Sequence, residues 1–220
     1  MQFLKKLYFS TIGQKIIMAV TGILMCLFLV FHLLGNTLLF VGKKEFNDYS
    51  NFLGSLGGGL YVVELGLVLV LFLHIWSATR LTLQNRKAKG HYAVKKVRNS
   101  STLMSSYMLH SGAVIAIFLV LHIVSFKFGE WNNVDVNSQK TLYDLVVTSF
   151  ANPWYAGFYL ISMIFLGFHL HHSFKSAFIT LGLVRYSAIS FYSKLSFLFS
   201  VLMSVGFSSF PIYFYLLSIL

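Results

Sequence analysis

IIMAVTGILMCLFLVFHLLGNTLLFV, residues 16–41, contains no charged residue and a single histidine, His32. A bilayer core takes about 20 apolar residues of helix per crossing, so this stretch predicts a membrane-spanning helix. Four more stretches pass the same test, at roughly 60–83, 103–126, 154–178 and 195–218. A membrane barrel would show short alternating segments instead. The expected fold is therefore all-α: an integral membrane bundle of five transmembrane helices forming one domain over residues 1–220. Composition agrees, because 57% hydrophobic and 10% charged residues cannot furnish a soluble surface. Residues 1–15 read as a short basic amphipathic lead-in along the inner surface. No small-residue cleavage site follows the first span, which reads as a retained helix and not a signal peptide. The lone cysteine, Cys26, excludes disulfides and cysteine-based metal sites.

The net charge of +11 raises the question of nucleic acid, and its distribution answers it. Lys and Arg number three before the first span, two in the next connection, then seven, two and three along the chain. The first, third and fifth of these segments hold 13 of the 17 and none of the six acids. That is the positive-inside pattern, with the N-terminus cytoplasmic and the C-terminus outside. The charge encodes topology, and no nucleic-acid partner is expected. The run from Arg86 to Arg98 is also suited to docking an acidic partner or anionic lipid.

One string recurs: FLVFH at 28–32 and FLVLH at 118–122. Each copy follows a hydroxyl residue and a glycine at the same spacing, Thr21–Gly22 before His32 and Ser111–Gly112 before His122. A second pair echoes the first, with His74 six residues before Arg80 and His169 six before Lys175. At about 1.5 Å of rise per residue, His32 and His122 fall roughly 25 and 30 Å from the inner edge. His74 and His169 fall about 9 Å from it. Four histidines thus form an outer tier, His32 with His122, and an inner tier, His74 with His169.

An ionisable ring inside a bilayer is costly and faces a functional interior. Two imidazoles at one depth on different helices suit the axial ligation of a haem iron, each binding through one nitrogen while the other donates to an acceptor. The expectation is two b-type haems with His32, His74, His122 and His169 as iron ligands. Arg80 and Lys175 are placed to meet propionates, and the glycine before each outer-tier histidine would admit a macrocycle or a neighbouring helix. His172 shares a helix face with His169, so spacing leaves both open as ligands. His110 lies about 120° around its helix from His122 and reads as polar packing or a propionate neighbour. His91 reads as a solvated residue of the basic loop.

With these residues in view, the chain resembles the diheme cytochrome b membrane anchor of bacterial succinate dehydrogenases and fumarate reductases, the succinate:quinone oxidoreductases. The similarity runs through STIGQKIIMAVTG (10–22), HLLGN (32–36), LHIWSATRLTLQNRKA (73–88), the SG before FLVLH (111–122) and HLHHSFKSAFITLG (169–182). It implies one axial ligand on each of the first four helices, at His32, His74, His122 and His169, and favours His169 over His172. It also implies a cytoplasmic iron-sulfur subunit bound to a flavoprotein, a bacterial inner-membrane location, and electron exchange with a quinone, usually menaquinone. A dimer of such complexes is a further association left open. The dicarboxylate site would belong to the flavoprotein, not to this chain. One departure is that relatives often carry Arg after Ser at the start of the third helix, where this chain has Ser105 and Ser106.

Quinone chemistry needs a proton-exchanging group beside the ring. Glu64, at the outer end of the second span, is the first candidate. Glu45, in a region where the resemblance implies an acid, is the second. Two alternatives compete: the diheme anchor of another quinone-linked oxidoreductase, and a transporter or proton channel using buried His and Glu as relays. The former concentrates its ligands on fewer helices, and the latter predicts a colourless protein.

Overall fold

In the computed structural model, residues 10–89, 101–129 and 141–220 are described. All regular elements among them are helices. They are α1 (Thr11–Asn36), a single turn α2 (Leu38–Val41), α3 (Lys43–Ser55), α4 (Gly58–Lys89), α5 (Ser101–Phe126), α6 (Leu142–Phe150), α7 (Pro153–Thr180), a 3-10 turn (Tyr186–Ala188) and α8 (Ile189–Ile219). Five spans are long and apolar enough to cross a membrane: Thr11–Val41, Gly58–Asn85, Tyr107–Phe126, Pro153–Thr180 and Tyr186–Ile219. These match the five expected from the sequence.

Local chemistry explains the ends. The Ser10 hydroxyl accepts from the Gly13 amide at 3.0 Å, so α1 starts there. This corrects the expected surface lead-in, because residues 11–15 belong to the first long helix; residues 1–9 lie outside the described residues. α7 begins on Asn152, whose side chain accepts from the amides of Trp154 and Tyr155, with Pro153 at the first helical position, where it sacrifices no hydrogen bond. Gly57 turns the chain into α4 at φ +50, a conformation glycine adopts freely. Pro211 sits inside α8 and is buried in the bundle.

α1 packs on α4, α5 packs on α7, and α1 and α7 join these two halves, while α8 lies along α7. The α7–α8 seam uses small residues. A Cβ at Gly167 would stand 3.1 Å from Ser204 Cβ, and the Ser204 hydroxyl donates to the Met163 carbonyl at 2.8 Å. Ser196 likewise donates to the His171 carbonyl. Where no water competes, close backbone approach and such hydrogen bonds are what hold helices together, each bond contributing about 0.6 kcal/mol.

The end of the bundle away from the N-terminus carries a lid. α3 and α6 are joined by Lys43–Asp144 at 2.8 Å and by the Tyr143 amide donating to Asn47. Beneath them lies a cluster of Leu39, Phe46, Val146, Phe150, Tyr159, Phe210 and Phe214. Neither α3 nor α6 is among the five spans expected from the sequence. Thr141 and Asp144 form a reciprocal capping box that starts α6, a signal of the S/T-x-x-acid kind.

Candidate functional site

The structure brings the four histidines together as two pairs. The rings of His32 and His122 lie 5.8 Å apart between centroids, with orthogonal planes. Two imidazoles holding one metal ion at about 2 Å per bond would have centroids separated by about 6 Å, so the pair is spaced to hold one between its rings. His74 and His169 are near enough to interact electrostatically. In each pair the two helices, α1 with α5 and α4 with α7, are not closely packed partners among the described residues. Side chains alone reach across between them.

The inner-tier imidazoles are held from behind. His74 Nδ1 lies 3.1 Å from the Thr21 hydroxyl, and His169 Nδ1 lies 3.1 Å from the Ser111 hydroxyl. Each hydroxyl has one proton. Thr21 gives its proton to the Ile17 carbonyl at 2.7 Å, so its oxygen accepts from His74 Nδ1–H, and in that neutral ring Nε2 keeps its lone pair, free to bind a metal. The Ser111 oxygen stands 3.1 Å from both the Met108 carbonyl and His169 Nδ1.

The adjacent glycines make room for these rings. A Cβ at Gly22 would stand 3.3 Å from His74 Cε1, and one at Gly112 would stand 3.5 Å from His169 Cε1. The two hydroxyl–glycine pairs, conspicuous in sequence for their spacing from His32 and His122, thus serve the histidine of the following span. Sequence spacing within one helix carries no record of which neighbour it faces.

The outer tier is packed differently. Phe28 stacks on His32 at 5.2 Å and Phe207 lies 5.8 Å away. Phe118 stacks on His122 at 5.6 Å, and Phe126 meets it edge-on. His122 Nδ1 is 3.1 Å from the Tyr159 hydroxyl, itself 3.1 Å from that of Tyr155. Tyr159 was not singled out by the sequence reading, since nothing links residues 37 positions apart until α5 and α7 pack.

The remaining candidates separate. His169, not His172, carries the hydroxyl contact, while His172 lines a different cleft with His110. His171 turns to Phe197. Arg80 and Lys175 are half-buried beyond their histidines. Glu64 forms an ion pair with Lys127, joining the start of α4 to the end of α5. Glu45 is exposed in the first turn of α3, where a helix favours negative charge. Neither acid is seen in contact with the histidine pairs. The basic run beyond Lys89, His91 and Glu130 lie outside the described residues, as do the side chains of Ser105 and Ser106. Among the described residues, no three or more His, Cys, Asp or Glu gather to hold a metal ion, so ligation here would rest on histidine pairs.

No family model matches the chain, and no curated protein or solved structure is significantly similar to it.

Proposed function

We propose that this chain is the membrane anchor and electron-transfer subunit of a succinate:quinone oxidoreductase, carrying two b-type haems and passing electrons between a cytoplasmic iron-sulfur subunit and membrane quinone. The observation that carries this reading is the pairing of four histidines from four spans into two tiers, each inner-tier ring backed by a hydroxyl at Nδ1. Bound haem would supply reversible one-electron transfer, and its potential depends on the axial ligands and their hydrogen bonds.

The chain's own residues have definable tasks. His32 with His122, and His74 with His169, are the pairs that would each hold one haem iron. Thr21 accepts the Nδ1 proton of His74 and Ser111 hydrogen-bonds Nδ1 of His169, orienting both rings. Arg80 and Lys175 lie toward the basic end, where propionates would need cationic partners. Phe28, Phe118, Phe126 and Phe207 pack around His32 and His122 and give that tier an apolar setting. Glu64, with Lys127, stands at the rim of the outer end as the candidate proton-exchanging group, and Glu45 as the second. A bacterial inner-membrane location with the N-terminus inside, docking of the iron-sulfur and flavoprotein subunits on the basic face, and menaquinone as the usual acceptor complete the proposal.

The test is the haem content of the purified chain. Two low-spin b haems per chain, with the iron-sulfur subunit co-purifying, is the expected result. A colourless chain after expression in a haem-replete host would overturn the proposal and favour the transporter reading.

A further inference from the structure

The two halves of the bundle repeat one another, and the repeat leaves one contact unmatched. The Thr21 hydroxyl lies 3.1 Å from His74 Nδ1, and the Ser111 hydroxyl lies 3.1 Å from His169 Nδ1. Gly22 and Gly112 face Cε1 of the same two histidines. Phe28 stacks on His32 at 5.2 Å, and its counterpart Phe118 stacks on His122 at 5.6 Å. The packed pairs α1–α4 and α5–α7 thus share one antiparallel register and one set of contacts.

That register points to a further contact. Eleven residues beyond Ser111 stands His122, and ten before His169 stands Tyr159; the two meet at 3.1 Å through His122 Nδ1 and the Tyr159 hydroxyl. The same steps from Thr21 and His74 lead to His32 and Glu64. Helix rise carries both by roughly 15 Å, so Glu64 stands opposite His32 as Tyr159 stands opposite His122. The contacts of the His32 ring among the described residues are with other rings, those of Phe28, His122 and Phe207.

Glu64 is the single acid between residues 60 and 83, and a carboxylate inside a span is costly unless paired. Lys127 supplies the counter-charge by donating to one oxygen, Oε1, and its ammonium also lies over the Tyr61 ring at 5.9 Å from the centroid. A carboxylate accepts through two oxygens, so this ion pair does not exhaust it.

We infer that Glu64 is a positioning residue for His32: its second oxygen accepts the His32 Nδ1 proton in the haem-loaded chain, while Lys127 steadies the first. A histidine that binds iron through Nε2 donates its Nδ1 proton to an acceptor, and Glu64 is the group the register sets there. The outer tier then has one histidine backed by a carboxylate and one by a phenol. The assignment rests on the haem reading proposed above and gives Glu64 a task separate from proton exchange with a quinone.

The test joins redox potentiometry to 15N nuclear magnetic resonance of the reduced, haem-loaded chain labelled at histidine. A carboxylate partner makes an axial imidazole a stronger donor to ferric iron. Glu64→Gln should therefore favour the ferrous form of the component that His32→Ala abolishes by about tenfold, a rise of about 59 mV for one electron, with the other component unmoved. The His32 Nδ1–H resonance should move upfield in the same variant. Glu64→Tyr, which installs the residue of the other half, should hold both haems and keep that Nδ1–H hydrogen-bonded. An unshifted potential in Glu64→Gln, or a shifted potential with the His32 Nδ1–H resonance unmoved, the mark of a distant charge only, would overturn the assignment. Should Glu64→Gln lose that haem, Glu64→Tyr decides: a His32 Nδ1–H in free exchange with water there would overturn it. Absence of haem from the parent chain would instead overturn the reading on which the assignment rests, and haem content is scored separately.

Discussion

His74 and His169 are held by small residues, and His32 and His122 by large ones. Against the first pair stand Thr21, Gly22, Ser111 and Gly112; against the second stand Phe28, Phe118, Phe126, Tyr159 and Phe207. The inner tier gains its precision from hydroxyls one residue away from a glycine, where the helix backbone itself is the rigid support. The outer tier gains it from ring packing beneath the α3–α6 lid. The same side chain is thus positioned in two physically different ways, and the two should fail differently.

The largest difference is expected where space is tightest. Gly22→Leu places a side chain where a Cβ alone is already 3.3 Å from His74 Cε1, and should remove one haem of two while the His32–His122 centre persists, read by haem quantitation. Gly112→Ala meets His169 Cε1 at an ordinary 3.5 Å and should retain both haems, with a gain of up to about 1 kcal/mol in helix propensity. Equal haem loss in the two variants would break the argument that Gly22 is the tighter seat. Next come the hydroxyls. Thr21→Val and Ser111→Ala delete the hydroxyl partners of Nδ1 and should weaken retention of one haem by about 10–100-fold, measured by transfer to an apo-haem acceptor, without affecting the other centre.

Tyr159→Phe is expected to do less, because ring packing around His122 remains. Both haems should stay bound, and the potential of one centre should move upward, since an axial imidazole without its hydrogen-bond partner is a weaker donor to ferric iron. A redox titration in which neither centre shifts would remove Tyr159 from the site. The smallest effect belongs to the lid. Lys43, followed by the Thr141 amide, holds the Asp144 carboxyl down to about 2. A carboxyl lowered in the folded state stabilises above its unfolded pKa and loses that contribution as pH falls through the folded one, here from about 4 to about 2. Asp144→Asn should cost about 1 kcal/mol at neutral pH, the scale of a helix cap, and only a small fraction of that at about pH 2, where the folded carboxyl is half protonated. Thermal melts in detergent at the two pH values check the sign.

The spans and the four paired histidines were legible because they depend on composition and on repetition along one helix. Residues 16–41 announce a span without help from any other segment, and FLVFH and FLVLH announce equivalent histidines. What depends on two helices meeting was not legible. Thr21 and Ser111 stood out by spacing, yet their partners, His74 and His169, follow from the packing of α1 on α4 and of α5 on α7. Tyr159 emerged only once α5 met α7. Glu64 read as a candidate proton-exchanging acid at the end of its span, and the fold returns Lys127 to its side. α6 was passed over within a polar connection although Thr141 and Asp144 mark its start.

The central claim is that His32 pairs with His122 and His74 with His169, each pair holding one haem. It is tested most directly by potentiometric titration of the four single variants His32→Ala, His74→Ala, His122→Ala and His169→Ala. The account predicts that His32→Ala and His122→Ala abolish the same redox component, that His74→Ala and His169→Ala abolish the other, and that the surviving component keeps its reduced spectrum. Loss of different components within a pair, or two intact components in any of the four variants, would contradict it.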